Sequence, residues 1–535
     1  VLYGTESGNA KIIAFDAIKT LERAAINARV LGMNELAPSE LTKIRHAIFI
    51  VSTSGDGDMP YNAVDFWDAL IADDFPRLER LRYGVIALGE SIYEDFCAAG
   101  IAMDERLHAL GATRVVDRVD CDYDFEVHAA TWLKEALGIY AASIAAEEPQ
   151  SGGTVVVSAP TEDGRRKFDG RISEKRTLTR NGADREVVHY TIDVDIDRSG
   201  SAPFDWQPGD SLSIFYGNDP AIVSAIIERL ALRADDIPDG FGKSLAQLLA
   251  EDVEIRAISR DLVQAVAAQG AGNELNSFLA TSTHAEFEKW RETNDLLQLL
   301  LDHPQTRFTA AELLPMLRPL QPRAYSIASS PQVQAASIDI SVRTVAYRHG
   351  DRDHRGVVSG GLSQRSQPDD PIAVQHVATP SFRLPDDPAA DLVMVGAGVG
   401  IAPFRAFLQH RAIRGDTGRN WLFHGIRHPD EDELYAEDFT RWRDVGLLQS
   451  YDLCASRAPE GRRYVQDGMR ERGRELFEYL ADGGFLFVCG DAHQMAKGVR
   501  SALRDIAADA LGSPADGEFF VEGLQASRRY RQDVY

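Results

Sequence analysis

Arg323-Ala324-Tyr325-Ser326 follows Leu320-Gln321-Pro322 and brings together side chains that suit a flavin dinucleotide. An arginine can grip a pyrophosphate, a tyrosine can lie flat on a ring and a serine can reach a ring nitrogen. By itself the tetrapeptide suits an exposed strand edge as well. Its weight comes from nucleotide-suited stretches on both sides of it, in an order that makes sense as delivery and removal of electrons.

Towards the amino terminus, Val1-Leu2-Tyr3 runs into Gly4-Thr5-Glu6-Ser7-Gly8-Asn9-Ala10 and then into apolar residues at Ile12, Phe15, Ile18 and Leu21. That spacing predicts strand, loop and amphipathic helix. Amides at the helix start and the hydroxyls of Thr5 and Ser7 can neutralise a phosphate without a metal. No second glycine precedes Lys11 at the spacing of a nucleoside triphosphatase loop, so triphosphate hydrolysis is not expected. Two more strand-like runs, His46 to Val51 and Tyr83 to Leu88, lead into loops starting at Ser52-Thr53-Ser54-Gly55 and Gly89-Glu90-Ser91-Ile92-Tyr93. In a parallel doubly wound sheet such loops converge on one crevice. Of the three loops, the Gly4 loop is expected to hold phosphate and the Ser52 loop the edge of a flat ring, with Tyr93 stacked on its face.

Towards the carboxyl terminus, Arg355-Gly356-Val357-Val358-Ser359 offers close backbone approach and a helix start, suited to the other side of a pyrophosphate. Asp391 to Val395 reads as a buried strand ending in Gly396-Ala397-Gly398-Val399-Gly400, and Pro403 with Phe404, Phe407 and Leu408 marks the helix that follows. Ser456-Arg457 and Arg462-Arg463-Tyr464-Val465-Gln466 gather positive charge and hydroxyls that suit a 2'-phosphate, hence NADPH rather than NADH. Cys489 ends another apolar run, where a lone cysteine is most often packing.

The chain of 535 residues, at about 100 to 200 residues per domain, predicts three domains. Its 44% hydrophobic and 26% charged composition is that of an ordinary soluble globular protein. A formal charge of -25 argues against a nucleic-acid partner and fits either a basic docking partner or simple solubility. Cys97, Cys121, Cys454 and Cys489 form no C-x-x-C pair, so no metal site or disulfide framework is expected and a reducing, cytoplasmic setting fits. No run of about 18 apolar residues suggests a membrane span. The start at Val1, without Met and inside a strand-like run, leaves room for a missing upstream domain or anchor.

Residues 147 to 153, Glu-Glu-Pro-Gln-Ser-Gly-Gly, read as a linker, either a hinge or a fixed surface connection. From Thr154 alternating β-branched runs such as Val187 to Val194, and the Pro208-Gly209 turn before Ser211, predict a small antiparallel barrel. A helix-rich stretch from about 219 to 315, with periodic Ile226, Leu230, Leu245, Leu248 and Leu249, interrupts it.

Residues 1 to 146 resemble a flavodoxin-type domain that binds FMN. The resemblance implies contacts from Thr5, Glu6, Ser7, Gly8, Asn9, Ala10, Ser52, Thr53, Ser54, Gly55, Leu88, Gly89, Glu90, Tyr93, Phe96 and Cys97. Glu90 stands where the family usually has Asp. Arg323-x-Tyr325-Ser326, the Gly356 loop and Phe382-Arg383-Leu384-Pro385 resemble the FAD domain of the ferredoxin-NADP reductase superfamily, expected over 154 to 388. This implies FAD contacts from Arg323, Ala324, Tyr325, Ser326, Ser341, Arg343, Tyr347, Gly356, Val357, Val358 and Ser359. Residues 389 to 535 resemble the Rossmann-like NADPH domain of that superfamily, implying contacts from Gly398, Gly400, Ser456, Arg457, Arg462, Tyr464 and Gln466. Val399 replaces a usual Thr and Gly498 stands where many relatives carry Asp. The Cys489-Gly490-Asp491 motif implies a thiol beside the nicotinamide, Asp533 the acid of a Ser326, Cys489 and Asp533 set, and terminal Tyr535 a cover for the flavin ring.

The whole chain is similar to the diflavin reductases, an α/β multidomain class. The ending Arg529-Tyr530-x-x-Asp533-Val534-Tyr535 and polar Ser54 bring it nearest the flavoprotein (alpha) components of NADPH-dependent sulfite reductases. The resemblance implies electron flow from NADPH to FAD to FMN and on to an external haem protein. That acceptor is expected to be the sirohaem iron-sulfur subunit that reduces sulfite to sulfide for cysteine biosynthesis. Tyr535 would move aside for the nicotinamide, so Tyr535→Ala should loosen discrimination against NADH. Two alternatives stay open at this point: a reductase for a cytochrome P450 or other haem partner, and a flavin-binding assembly module without turnover.

Overall fold

The computed structural model describes residues 1–5, 9–23, 26, 28–53, 57–72, 74–89, 95–122, 125–145, 167–180, 183–194, 206–270, 272–459 and 461–534. Two compact units form, Val1–Arg166 and Lys167–Tyr535. The linker expected at 147–153 lies outside the described residues.

In the first unit β1 (Leu2–Gly4), β2 (Leu31–Gly32), β3 (His46–Ser52), β4 (Arg82–Leu88), β5 (Thr113–Arg114) and β6 (Val119–Cys121) make one parallel sheet. Its order is β2-β1-β3-β4-β5, with β6 also on β4. Alternation along β3 sends Ile48 and Ile50 to one face and Phe49 and Val51 to the other, and each face has its own apolar cluster. Helices α1 (Asn9–Arg23) and α4 (Phe125–Ala145) cover the first face, and α2 (Val64–Ile71) and α3 (Ala98–Ala109) the second. The buried side of α1 is Ala10, Ile13, Ala14, Ala17 and Leu21, whereas Phe15 and Ile18 are only half-buried. Small alanines let the helix approach the sheet, so the core-facing stripe is rotated from the one that the bulky residues suggest.

In the second unit β7 (Phe168–Thr177), β8 (Val187–Val194), β9 (Ser211–Phe215), β10 (Arg323–Ser326), β11 (Ser337–Arg343) and β14 (Pro371–Val377) pair antiparallel in the order β10-β9-β14-β7-β8-β11. The two end strands meet. Ile327 bridges Ile340 and the Ala328 amide donates to the Asp339 carbonyl at 2.7 Å, so the sheet closes into a barrel. Between β9 and β10 the chain makes α5 (Pro220–Arg229), α6 (Leu245–Glu251), α7 (Arg260–Ala268), α8 (Gly272–Thr281), α9 (His284–Thr293), α10 (Leu296–Asp302) and α11 (Ala310–Leu313). These helices bury their leucines in one cluster of their own, and side chains of Asp219, Ser244, Ser259, Thr283, Asp295 and Thr309 cap helix starts. A hairpin of β12 (Ala346–His349) and β13 (Arg352–Arg355) leads into α12 (Val357–Arg365).

The last sheet is parallel: β15 (Leu392–Ala397), β16 (Asn420–Ile426), β17 (Ser450–Ala455), β18 (Phe485–Gly490) and β19 (Tyr530–Val534), in the order β17-β16-β15-β18-β19. Helices α13 (Ala402–Arg414), α14 (Ala436–Asp444), α15 (Val465–Glu471), α16 (Gly473–Ala481), α17 (Lys497–Leu511) and α18 (Pro514–Ala526) connect its strands. The strand order reverses beside β15, and ligands of such sheets bind at the carboxyl ends of the strands there. Among the described residues no helix is long and apolar enough to cross a membrane.

Candidate flavin and dinucleotide site

Parallel register sets Gly396 of β15 beside Cys489 of β18, and Cys489 beside Asp533 of β19. From the barrel, the last residue of β10 completes the group: Ser326 Oγ donates to Asp533 Oδ2 at 2.7 Å, and Cys489 Sγ lies 3.7 Å from the same oxygen. Burial raises the Asp533 carboxyl above its ordinary value, opposed by the Ser326 and Cys489 hydrogen bonds. Burial and the neighbouring Asp533 charge push the Cys489 thiol well up, so it stays protonated. Just below, Asp210, at the mouth of β9, accepts hydrogen bonds from the Gln207 and Thr379 amides and from Arg383, and pairs with His376 at 3.0 Å. Arg531, two residues before Asp533, donates to the Arg383 carbonyl. This buried clamp fixes β9, the partner strand of Ser326, against the strand that carries Asp533.

A cavity of about 1290 Å³ opens in front of Ser326 and Asp533. It exceeds the roughly 300 to 1,000 Å³ of ordinary small-molecule pockets, as expected for a site that holds more than one dinucleotide. Arg323, Ala324, Tyr325, Ser341, Arg343, Gly356, Val357, Val358 and Ser359 line one end. Arg323 is held by Glu254 of the helical insertion, Nη2 to Oε2 at 3.1 Å, while the other Glu254 oxygen accepts the Arg256 amide at 2.8 Å. The N-terminus of α12 opens beside them, so a guanidinium and a helix start both face the cavity, a fit for the diphosphate of FAD. The Ser341 hydroxyl is engaged with Tyr435 at 2.7 Å. Tyr347 is not in the wall; it stacks on His354 at 5.1 Å and bonds to Arg256, which is in the wall.

At the other end stand Gly398, Val399, Ser456, Arg457, Arg462, Tyr464 and Gln466. Gly398 has φ +56 with nothing in front of it, the open approach that a pyrophosphate needs. Gly400 is set back from the cavity, where an added Cβ would lie 2.2 Å from the Cys489 carbonyl oxygen; only glycine lets the loop sit on β18. Gly498 lies against the Gln466 side chain. Arg185, Arg256 and Arg427 also line the cavity and lay outside every sequence motif. Burial, with repulsion from Arg343, Arg427 and Arg457, holds the Arg185 guanidinium below its ordinary value, a mark of concentrated positive charge suited to phosphate.

In the first unit β1, β3 and β4 are neighbours, so the loops after them start side by side. Thr5 is fully buried with its amide on Asn62 Oδ1 at 2.7 Å, and α1 begins at Asn9 with Ala10 buried, placing a helix start at the carboxyl edge of the sheet. Ser52 donates to the Gly4 carbonyl at 3.3 Å, Thr53 accepts the Ala99 amide at 3.3 Å and Gly89 donates to the Cys121 carbonyl at 3.0 Å. Leu88 and Cys97 are buried and Phe96 half-buried; burial raises the Cys97 thiol to about 12. A helix start beside a buried threonine fits a phosphate monoester such as that of FMN. Glu6, Ser7, Gly8, Ser54, Gly55, Glu90, Tyr93 and, in the second unit, Tyr535 lie outside the described residues.

Residues 1–132 match the flavodoxin family, 243–360 the FAD binding domain and 394–501 the oxidoreductase NAD-binding domain. With the folds above, this succession defines an NADPH-dependent flavoprotein oxidoreductase whose cofactors are FMN, FAD and NADPH. Over its whole length the chain is 34% identical to the sulfite reductase (NADPH) flavoprotein alpha-component of Bacillus subtilis (strain 168), of which it covers 89%. It is 33% identical to the proteins of that description from Aliivibrio fischeri and Cronobacter sakazakii, again over all of this chain and 89% of theirs. The chain belongs to the family of sulfite reductase (NADPH) flavoprotein alpha-components.

Proposed function

We propose that this chain delivers electrons from NADPH, through FAD and then FMN, to a sirohaem iron-sulfur subunit that reduces sulfite to sulfide, in the cytoplasm. The acceptor rests on full-length similarity to proteins so described. The observation that carries the input side is the meeting of Ser326, Cys489 and Asp533 on one carboxylate oxygen at the cavity wall. When bound, the cofactors would supply the redox chemistry, a hydride from the nicotinamide and its conversion to single electrons by the two flavins. The protein's part is placement and proton control. Ser326 and Asp533 orient the reacting rings, the protonated Cys489 fills the space behind them, and Asp533 holds or releases a proton at Oδ2. Arg323 and the start of α12 take the FAD diphosphate; Arg457 and its neighbours take the 2'-phosphate of NADPH. On this reading 154–388 serves as the FAD domain and 389–535 as the NADPH domain, joined to a 1–146 FMN domain by 147–153.

The experiment is NADPH oxidation by the purified chain, with FAD and FMN bound, mixed with a sirohaem sulfite reductase subunit and started by sulfite. A sulfite-dependent rate is expected. Flavin reduction without any such rate would rule out this acceptor and turn the search to other haem proteins.

A further inference from the structure

Two arginines that line the dinucleotide end of the cavity are already paired with a carboxylate of the protein itself. Asp184, in the connection between β7 and β8, directs Oδ2 at three groups: it pairs with Arg457, with Arg427 Nη2 at 3.1 Å, and with His428 Nε2 at 3.6 Å. Both arginines line the cavity beside Ser456 and Arg185. The connection is tied down, since the Arg180 amide donates to the Glu431 carbonyl at 3.0 Å. On the other side Asp432 accepts the Arg427 amide at 3.0 Å and the His428 amide at 3.1 Å, which holds the receiving loop in place. Asp184 and Arg457 are each about half exposed, at 48% and 51% of their side-chain surface, so their pairing is readily exchanged for a better one.

We propose that Asp184 is an internal stand-in for the 2'-phosphate of the dinucleotide. Its carboxylate keeps Arg427 and Arg457 turned inward while the site is empty and gives them up when a phosphorylated ribose enters. A phosphate monoester brings more charge and three acceptor oxygens to two guanidinium forks, so it wins the exchange. A ribose without that phosphate leaves Asp184 where it is, and a carboxylate there is a suitable acceptor for the ribose hydroxyls. Asp184 therefore narrows the preference for NADPH over NADH. The inference rests on the reading that Arg457 receives the 2'-phosphate.

The test is calorimetric titration of the FAD- and FMN-loaded chain with 2',5'-ADP and with 5'-AMP. For Asp184→Asn, 2',5'-ADP should bind about fivefold tighter at low salt, the gain of a half-exposed charge pair, and 5'-AMP should not tighten. The gain should shrink as salt rises, because exposed charges are screened. Unchanged or weaker 2',5'-ADP binding by Asp184→Asn overturns the proposal, as does equal tightening of both ligands. Arg457→Ala separates the two readings. If it leaves 2',5'-ADP affinity unchanged, the underlying phosphate assignment fails; if it weakens that affinity while Asp184→Asn gains nothing, the stand-in alone fails.

Discussion

The two ends of the large cavity are built on opposite principles. At the end with Ser326, Cys489 and Asp533 one carboxylate is enclosed, raised by burial and held by a 2.7 Å hydrogen bond. At the other end Arg185, Arg427 and Arg457 crowd together, partly exposed and balanced by Asp184. Desolvation makes the first end sensitive to protons, and charge makes the second selective for phosphate. A change at the first should therefore alter rates, and a change at the second should alter binding.

The hardest break lies under the first end. Asp210→Ala leaves Arg383 and His376 without their buried carboxylate and should cost about 3–5 kcal/mol of stability, read as a fall in Tm. Burial alone raises the Asp210 carboxyl, but the hydrogen bonds from His376, Thr379 and Gln207 and the charge of Arg383 together hold it below its ordinary value, so its contribution is present above the unfolded value and lost as pH falls through the folded one. Wild-type Tm should thus drop in acid more steeply than that of the variant. Next, Asp533→Asn should lower the rate of flavin reduction by NADPH by about 10²-fold while leaving dinucleotide affinity in place. With Asp533 raised, the carboxyl keeps the proton it releases to higher pH, so the wild-type rate should fall as pH rises through an apparent value above the ordinary carboxylate range, and Asp533→Asn should flatten that limb. At the second end, Arg457→Ala should raise the KM for NADPH about tenfold with little change for NADH, from loss of a charge-assisted contact. The smallest effect is expected of Glu254→Gln. Arg323 is nearly half exposed, so losing its anchor should speed FAD loss on dilution only about two- to threefold, measured by recovered flavin fluorescence.

The same contrast explains what could be read from the sequence. Ser326 ends its strand and Cys489 and Asp533 stand one residue before the ends of theirs, and it is the family resemblance of their motifs that joined them across the 207 residues between Ser326 and Asp533. The glycines around Gly398 were legible because a loop against a strand end needs them. Arg185, Arg427, Asp184 and Glu254 were not. An ion pair between Asp184 and Arg457 spans 273 residues and leaves no period or local motif on either side. The barrel was legible as a class from its alternating strands, but its closure at Ile327 and Ile340 depends on a single bridge that no pattern announces. The α1 stripe is rotated from the expected one because Ala10, Ala14 and Ala17 share the buried side with Ile13 and Leu21, while Phe15 and Ile18 are only half-buried.

The most direct test is anaerobic stopped-flow reduction of the bound flavin over a range of NADPH concentrations, for Asp533→Asn and Arg457→Ala beside the wild type. Asp533→Asn should lower the limiting rate with the concentration for half-saturation unchanged, and Arg457→Ala should shift half-saturation with the limiting rate unchanged. A limiting rate untouched by Asp533→Asn, or set instead by Arg457, would contradict the separation of proton control from phosphate recognition.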